Sequence, residues 1–233
     1  MNLKKSNFEL VKRGFLKTLV LIPGWATDYR VFGNLDLQYN YLLPKQFSYS
    51  NFSQELSDAL EKYQLNKVSL FGWSQGGFLA ADFAQRNPQN IDELFLLSVR
   101  GHYEKEALLK VKENLERDVI NCLSAFYANC FSSFDSQAAE WFKNNLLNVY
   151  LKEMKIEDLI QGLRFLSSAQ IDPLLLEKIP KIRIFHGKLD RIAPFIEVEQ
   201  LKQKINHADL VIFPRLGHNL FLNQEFRQKF SYE

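Results

Sequence analysis

Val68-Ser69-Leu70-Phe71-Gly72-Trp73-Ser74-Gln75-Gly76-Gly77-Phe78-Leu79-Ala80-Ala81 is the stretch on which the fold turns. Residues 68–71 read as an apolar strand closed by Gly72, and residues 78–85 carry a helical pattern stopped by Asn87-Pro88. Between them, Gly72-x-Ser74-x-Gly76 sets a serine on a sharp strand-to-helix turn, the nucleophile elbow. The turn strains the backbone at the serine, needs small neighbours so that adjacent backbone can approach, and pushes the hydroxyl above the sheet edge. A Gly-Ser-Gly string by itself arises equally as a plain turn; the strand before it and the helix after it favour the elbow.

Outward from this point the same grammar repeats. Residues 18–22 form an apolar run closed by Pro23-Gly24, residues 94–97 form another, residues 182–185 end at His186-Gly187, and residues 210–213 end at Pro214. Such runs read as buried parallel strands. An amphipathic helix is expected over 52–63, so strands alternate with helices and an α/β architecture with a mostly parallel sheet follows. The alternation fails between about 102 and 170, where several helices and no strand are expected. The chain therefore reads as one domain, with a core of 1–101 and 171–233 and a helical cap inserted at 102–170. That insertion holds Phe126, Tyr127, Phe131, Phe134, Trp141, Phe142 and Phe165, and some of them are expected to roof a pocket, with Phe126, Phe131 and Trp141 the candidates for substrate contact.

A serine hydroxyl is a weak nucleophile near neutral pH and needs a histidine base held by a carboxylate. Asp190 follows the strand 182–185 in a loop at its carboxyl end, where sites of open α/β sheets lie. The other reading of Asp190 is a turn or cap residue before Ile192-Ala193-Pro194. His218, in Gly217-His218-Asn219 after the last strand, completes the order Ser, Asp, His. Of the other histidines, His102 opens the insertion, His186 reads as loop packing and His207 sits in a polar turn; none follows the acid after a strand. Donors for a developing oxyanion are expected from the backbone N–H of Gln75 and of Trp25, with Gly24 permitting the turn that aims the latter.

Composition bounds the rest. At 233 residues, with 46% hydrophobic and 24% charged residues, the chain suits one sizeable core. Its 20 Phe either fill that core or line a pocket for an apolar acyl chain. A net charge of +2 without a basic patch argues against nucleic acid. Cys122 and Cys130 suggest neither a disulfide framework nor a zinc site, and reduced, packed thiols are expected. The apolar run near the N-terminus is too short for a signal sequence and no stretch is long enough to span a membrane, so a cytoplasmic protein is expected. No metal or cofactor is called for.

The segments LVLIPGW, LFGWSQGGFLA, HGKLDRIAP and LGHNLF, with the helical insertion between them, resemble the pimeloyl-acyl-carrier-protein methyl ester esterases of biotin synthesis, the BioH type. The match covers almost the whole chain, and Trp25 after glycine and Trp73 before the serine are its specific touches. The resemblance implies an α/β-hydrolase fold, an elongated apolar pocket under the cap, a triad on Ser74, Asp190 and His218, an oxyanion hole from Trp25 and Gln75, and a Trp25 that borders the substrate. It also implies a serine carboxylesterase that acts through an acyl-enzyme on an ester carried by acyl-carrier protein. Two features depart from it. Pro23 stands where the family has histidine, and residues 102–170 hold eight Lys or Arg against ten Asp or Glu, a net −2. An acidic carrier protein would then rely on a local patch such as Arg117, Lys143 and Arg164. A generic short-chain acyl hydrolase is the alternative, and a non-catalytic receptor of this fold is disfavoured because all three triad positions are filled.

Overall fold

The computed structural model describes residues 7–232. Its sheet has seven strands: β1 (Phe8–Val11), β2 (Thr18–Ile22), β3 (Asn40–Pro44), β4 (Val68–Trp73), β5 (Ile91–Leu97), β6 (Ile182–Gly187) and β7 (Asp209–Phe213). They lie in the order β1-β3-β2-β4-β5-β6-β7. Only the edge strand β1 is antiparallel, to β3; every other pairing is parallel. β2, β4 and β6 are buried at every position, as continuous apolar runs require when helices cover both faces of a sheet.

The helices are α1 (Phe52–Lys62), α2 (Gln75–Arg86), α3 (Lys105–Arg117), α4 (Val119–Asn129), α5 (Ser136–Phe142), α6 (Asn148–Glu153), α7 (Ile156–Leu166), α8 (Phe195–Lys204) and α9 (Gln224–Tyr232). Between β5 and β6 the chain runs through α3 to α7, a helical stretch whose base is pinched by a bridge between His102 and Gln170. α2 begins directly after Ser74, three residues ahead of the helix start read from the sequence, because Gln75-Gly76-Gly77 already has helical backbone.

The phenylalanines divide. Phe71, Phe95, Phe185 and Phe213 on the sheet meet Phe226 and Phe230 of α9, with ring centroids as close as 4.7 Å for Phe95 and Phe230. These rings fill the core against the sheet, and Phe221 joins Phe71 to Trp73 of the elbow, with centroids at 6.1 and 5.1 Å. Arg183 is buried among them, over the rings of Phe95, Phe185 and Phe230, and pairs with buried Glu93 at 2.5 Å.

Candidate active site

Ser74 has φ 53° and ψ −118°, the left-handed and strained backbone that the strand-to-helix turn imposes. Gly76 allows it: a Cβ there would stand 2.2 Å from the carbonyl oxygen of Ile22, so only glycine lets β2 and the elbow come this close. Ser74 is 5% exposed and His218 is fully buried, so the site is closed over in this structure.

Asp190 and His218 meet as the chain order predicts. The Asp190 Oδ2 lies 2.7 Å from His218 Nδ1. Its Oδ1 accepts the backbone N–H of Ile192 and of Ala193, both at 2.8 Å. One oxygen thus meets His218 and the other caps the loop. Burial pushes this carboxyl up, but the charge and hydrogen bond of His218, the nearby His186 and the Ala193 N–H outweigh it and hold the pKa below the usual 3.8.

His218 Nε2 is buried and makes no hydrogen bond among the described residues. It therefore accepts no bond from the Ser74 hydroxyl. What stands beside Ser74 is Tyr103, a residue not singled out from the sequence. Burial raises its phenol to about 12, opposed by the nearby Ser74 side chain and by the charge of Arg100. The Arg100 guanidinium lies over the Tyr103 ring at 4.6 Å and Phe78 lies beside it at 6.0 Å. Nothing in the local sequence marks Tyr103; the contact exists only once the chain after β5 folds back over α2.

His186 is more than loop packing. It is the penultimate residue of β6, fully buried, with Nε2 2.8 Å from the Ala193 carbonyl and 3.7 Å from Asp190 Oδ2. Burial lowers its pKa below 6.5 despite Asp190. An unfolded chain takes up a proton near pH 6.5 that the folded site refuses, so stability is lost as pH falls from 6.5 through the lowered value; the depressed Asp190 adds a second loss below 3.8. Melting temperature measured between about pH 8 and pH 4 is expected to fall with pH, and His186→Gln is expected to flatten the part of that fall beginning near 6.5.

The loop after β2 abuts the elbow. A Cβ on Gly24 would lie 3.0 Å from the Trp73 ring and 3.2 Å from the Ser74 Cβ. Gly24, expected to permit the turn that aims Trp25, makes the close approach to Trp73 and Ser74, and the left-handed residue of this loop is Ala26, with φ 57°. Gln75 opens α2, so its N–H is among those a helix start leaves without an intrahelical partner. Both candidate donors are tied to α7 by their side chains. The Trp25 indole Nε1 donates to the Leu159 carbonyl at 3.0 Å, and Gln75 Nε2 donates to the Gly162 carbonyl at 2.8 Å. Tyr49, stacked on Phe165 at 5.1 Å, donates to Gln75 Oε1.

Of the candidate substrate contacts, Phe126 meets Trp25 edge-on at 4.7 Å. Phe131 instead packs on Phe142 at 5.6 Å, and Trp141 is partly buried against the core. A groove of about 360 Å³ reaches Trp25 between Ala26, Lys45, Phe47, Met154 and Leu159. A larger one of about 690 Å³, on the other side of Tyr49, runs between Phe78 and Arg164. His102 is exposed beside Glu104. Cys122 and Cys130 are free thiols, and burial holds that of Cys130 well above its usual pKa. Among the described residues no group of three or more His, Cys, Asp or Glu is placed to hold a metal, and no helix is long and apolar enough to cross a membrane.

A mostly parallel sheet, with a strained serine between β4 and α2 and a buried Asp–His pair on the loops after β6 and β7, is the α/β-hydrolase fold, and residues 24–135 match the family model of the alpha/beta hydrolase fold. More particularly, the chain is similar to the pimeloyl-acyl-carrier-protein methyl ester esterase of Nitrosomonas europaea, at 27% identity over 67% of this chain and 66% of that protein. It is similar to the enzyme of the same name from Wigglesworthia glossinidia brevipalpis, at 27% identity over 89% of each chain. Among solved structures, the esterase of Exiguobacterium antarcticum matches with a TM-score of 0.78 at 22% identity, covering 97% of this chain and 92% of the other.

Proposed function

We propose that this carboxylic ester hydrolase cleaves the methyl ester of a pimeloyl chain carried on acyl-carrier protein. The observation that carries the chemistry is the Asp190–His218 contact, tied to the elbow where Trp73 Nε1, from the residue before the strained Ser74, donates to the His218 carbonyl. Ser74 Oγ attacks the ester carbonyl as its proton passes to His218 Nε2, the oxyanion is met by the N–H groups of Trp25 and Gln75, and the proton leaves with methanol. Water, deprotonated by the same histidine, then opens the acyl-enzyme and releases the free carboxylate. Asp190 holds the imidazole and stabilises its charged form. In this reading residues 102–170 act as the cap, with Phe126 beside Trp25 at its apolar wall.

The substrate rests on the similarity to the two methyl ester esterases and on the sequence segments shared with that family. Purified protein is expected to release methanol from pimeloyl-acyl-carrier-protein methyl ester with a far higher kcat/KM than from a short p-nitrophenyl ester. The opposite ranking would leave an esterase of other substrates. Rescue of a strain lacking its biotin-pathway esterase by the wild type, and not by Ser74→Ala, is the cellular form of the same test.

A further inference from the structure

We infer that Asp135, on the helical stretch between β5 and β6, is a positioning residue for the general base, holding the loop that carries His218. This rests on the triad reading above. Asp135 is 1% exposed and sits at the N-terminus of α5, where an aspartate ordinarily accepts an N–H of its own helix. It makes no such bond. Its Oδ2 turns away to accept the N–H of Gly217 at 2.8 Å, together with that of Ser132 at 2.7 Å, and its Oδ1 accepts from Asn223 Nδ2 at 3.1 Å. A buried carboxylate is costly unless its oxygens are satisfied, and here these three donors are uncharged. The charge is directed at the chain immediately before His218.

The neighbouring contacts close the other side. The Asn219 N–H, just after His218, donates to the Cys130 carbonyl at 3.1 Å, and the Ser132 hydroxyl donates to the Arg215 carbonyl at 2.6 Å. Residues 130–135 thus grip the loop at 215, 217 and 219, on both sides of the base. From the sheet, Trp73 Nε1 and the Ser98 hydroxyl hold the carbonyl of His218 itself, at 3.0 and 2.7 Å. The sheet fixes the height of the imidazole, and residues 130–135 fix its approach to Ser74. The helical stretch therefore takes part in the chemistry as well as in covering the site.

Asp135→Ala is expected to lower kcat for a p-nitrophenyl ester by about 100-fold, the scale of an ångström-level misplacement, with KM little changed. The rate of Ser74 labelling by a fluorophosphonate falls in parallel. Asp135→Asn keeps an oxygen for the Gly217 and Ser132 N–H groups, while the Asn223 amide can turn to face the new NH2, so it restores most of kcat. Asp118→Ala serves as the comparison: it removes the cap of α4, whose Oδ1 accepts from Asn121 N, without touching the His218 loop. It is expected to lower the melting temperature and leave kcat unchanged. A wild-type kcat in Asp135→Ala, an Asn variant as impaired as the Ala variant, or an equal kcat loss in Asp118→Ala would each overturn the inference. His218→Ala separates the two readings: if it retains activity the triad itself fails, whereas if it is inert while Asp135→Ala is fully active, only the positioning role is lost.

Discussion

Ser74→Ala is expected to abolish ester hydrolysis, lowering kcat by about 10⁶-fold, because a triad acts as a unit and loses nearly everything when its nucleophile goes. The residual rate over water, about 10³-fold, would come from the oxyanion donors and binding alone. The fold is expected to survive, since alanine keeps the Cβ and fills the same strained position that an L-residue already occupies at φ 53°. Covalent labelling by a fluorophosphonate reads the same event directly: wild type is labelled once per chain, Ser74→Ala is not. A variant that still hydrolyses esters and still labels would move the nucleophile elsewhere and remove the elbow from the mechanism.

Asp190→Asn is expected to cost about 10⁴-fold in kcat with only a modest fall in melting temperature at neutral pH, the part that the ionised carboxylate contributes beside His218. The asparagine carbonyl can replace Oδ1 and keep the N–H groups of Ile192 and Ala193, so the loop stays in place. Its NH2 then faces His218 Nδ1, which must accept instead of donate. The imidazole is forced to carry its proton on Nε2, the atom that has to take a proton from Ser74, and the base is disabled with the geometry intact. Steady-state kinetics beside thermal melts distinguishes this from simple unfolding. A parallel collapse of melting temperature would mean that Asp190 serves the loop and not the histidine.

The contrast between these residues and Asp135 or Tyr103 shows what a linear chain makes visible. Ser74, Asp190 and His218 each sit just beyond a strand whose apolar run announces it, so their position at the carboxyl edge of the sheet follows from local pattern and chain order. The strands β1 and β3 were harder to read. β1 is a short edge strand with one fully buried residue, and β3 is only Asn40–Pro44, its apolar residues hemmed by Asn40 and Pro44. The pairing that holds them is to each other and to β2, across a separation no window of sequence reports. Tyr103 reaches Ser74, and Asp135 reaches Gly217, from a stretch whose sequence says only that it is helical. An aspartate before Ser136 reads as an ordinary cap; that it abandons its own helix is a fact of three-dimensional packing. The charge of residues 102–170 was legible as a sum, but the work of that stretch is done by single groups aimed inward, which a sum does not register.

The acceptors that bind Trp25 and Gln75 to α7 are main-chain carbonyls, those of Leu159 and Gly162. A carbonyl is the same whatever side chain it belongs to. Substitutions on the exposed face of α7 can therefore leave its grip on the two tethered residues intact, whereas Gly162 is held to glycine, since a Cβ there would stand 2.7 Å from the Trp25 ring. The same bond places a limit on engineering by domain exchange: a helical stretch borrowed from another hydrolase would have to deliver two carbonyls to these coordinates, and matching its length or its hydrophobicity would not suffice. This part of the chain is held in trajectory, and at Gly162 in composition as well.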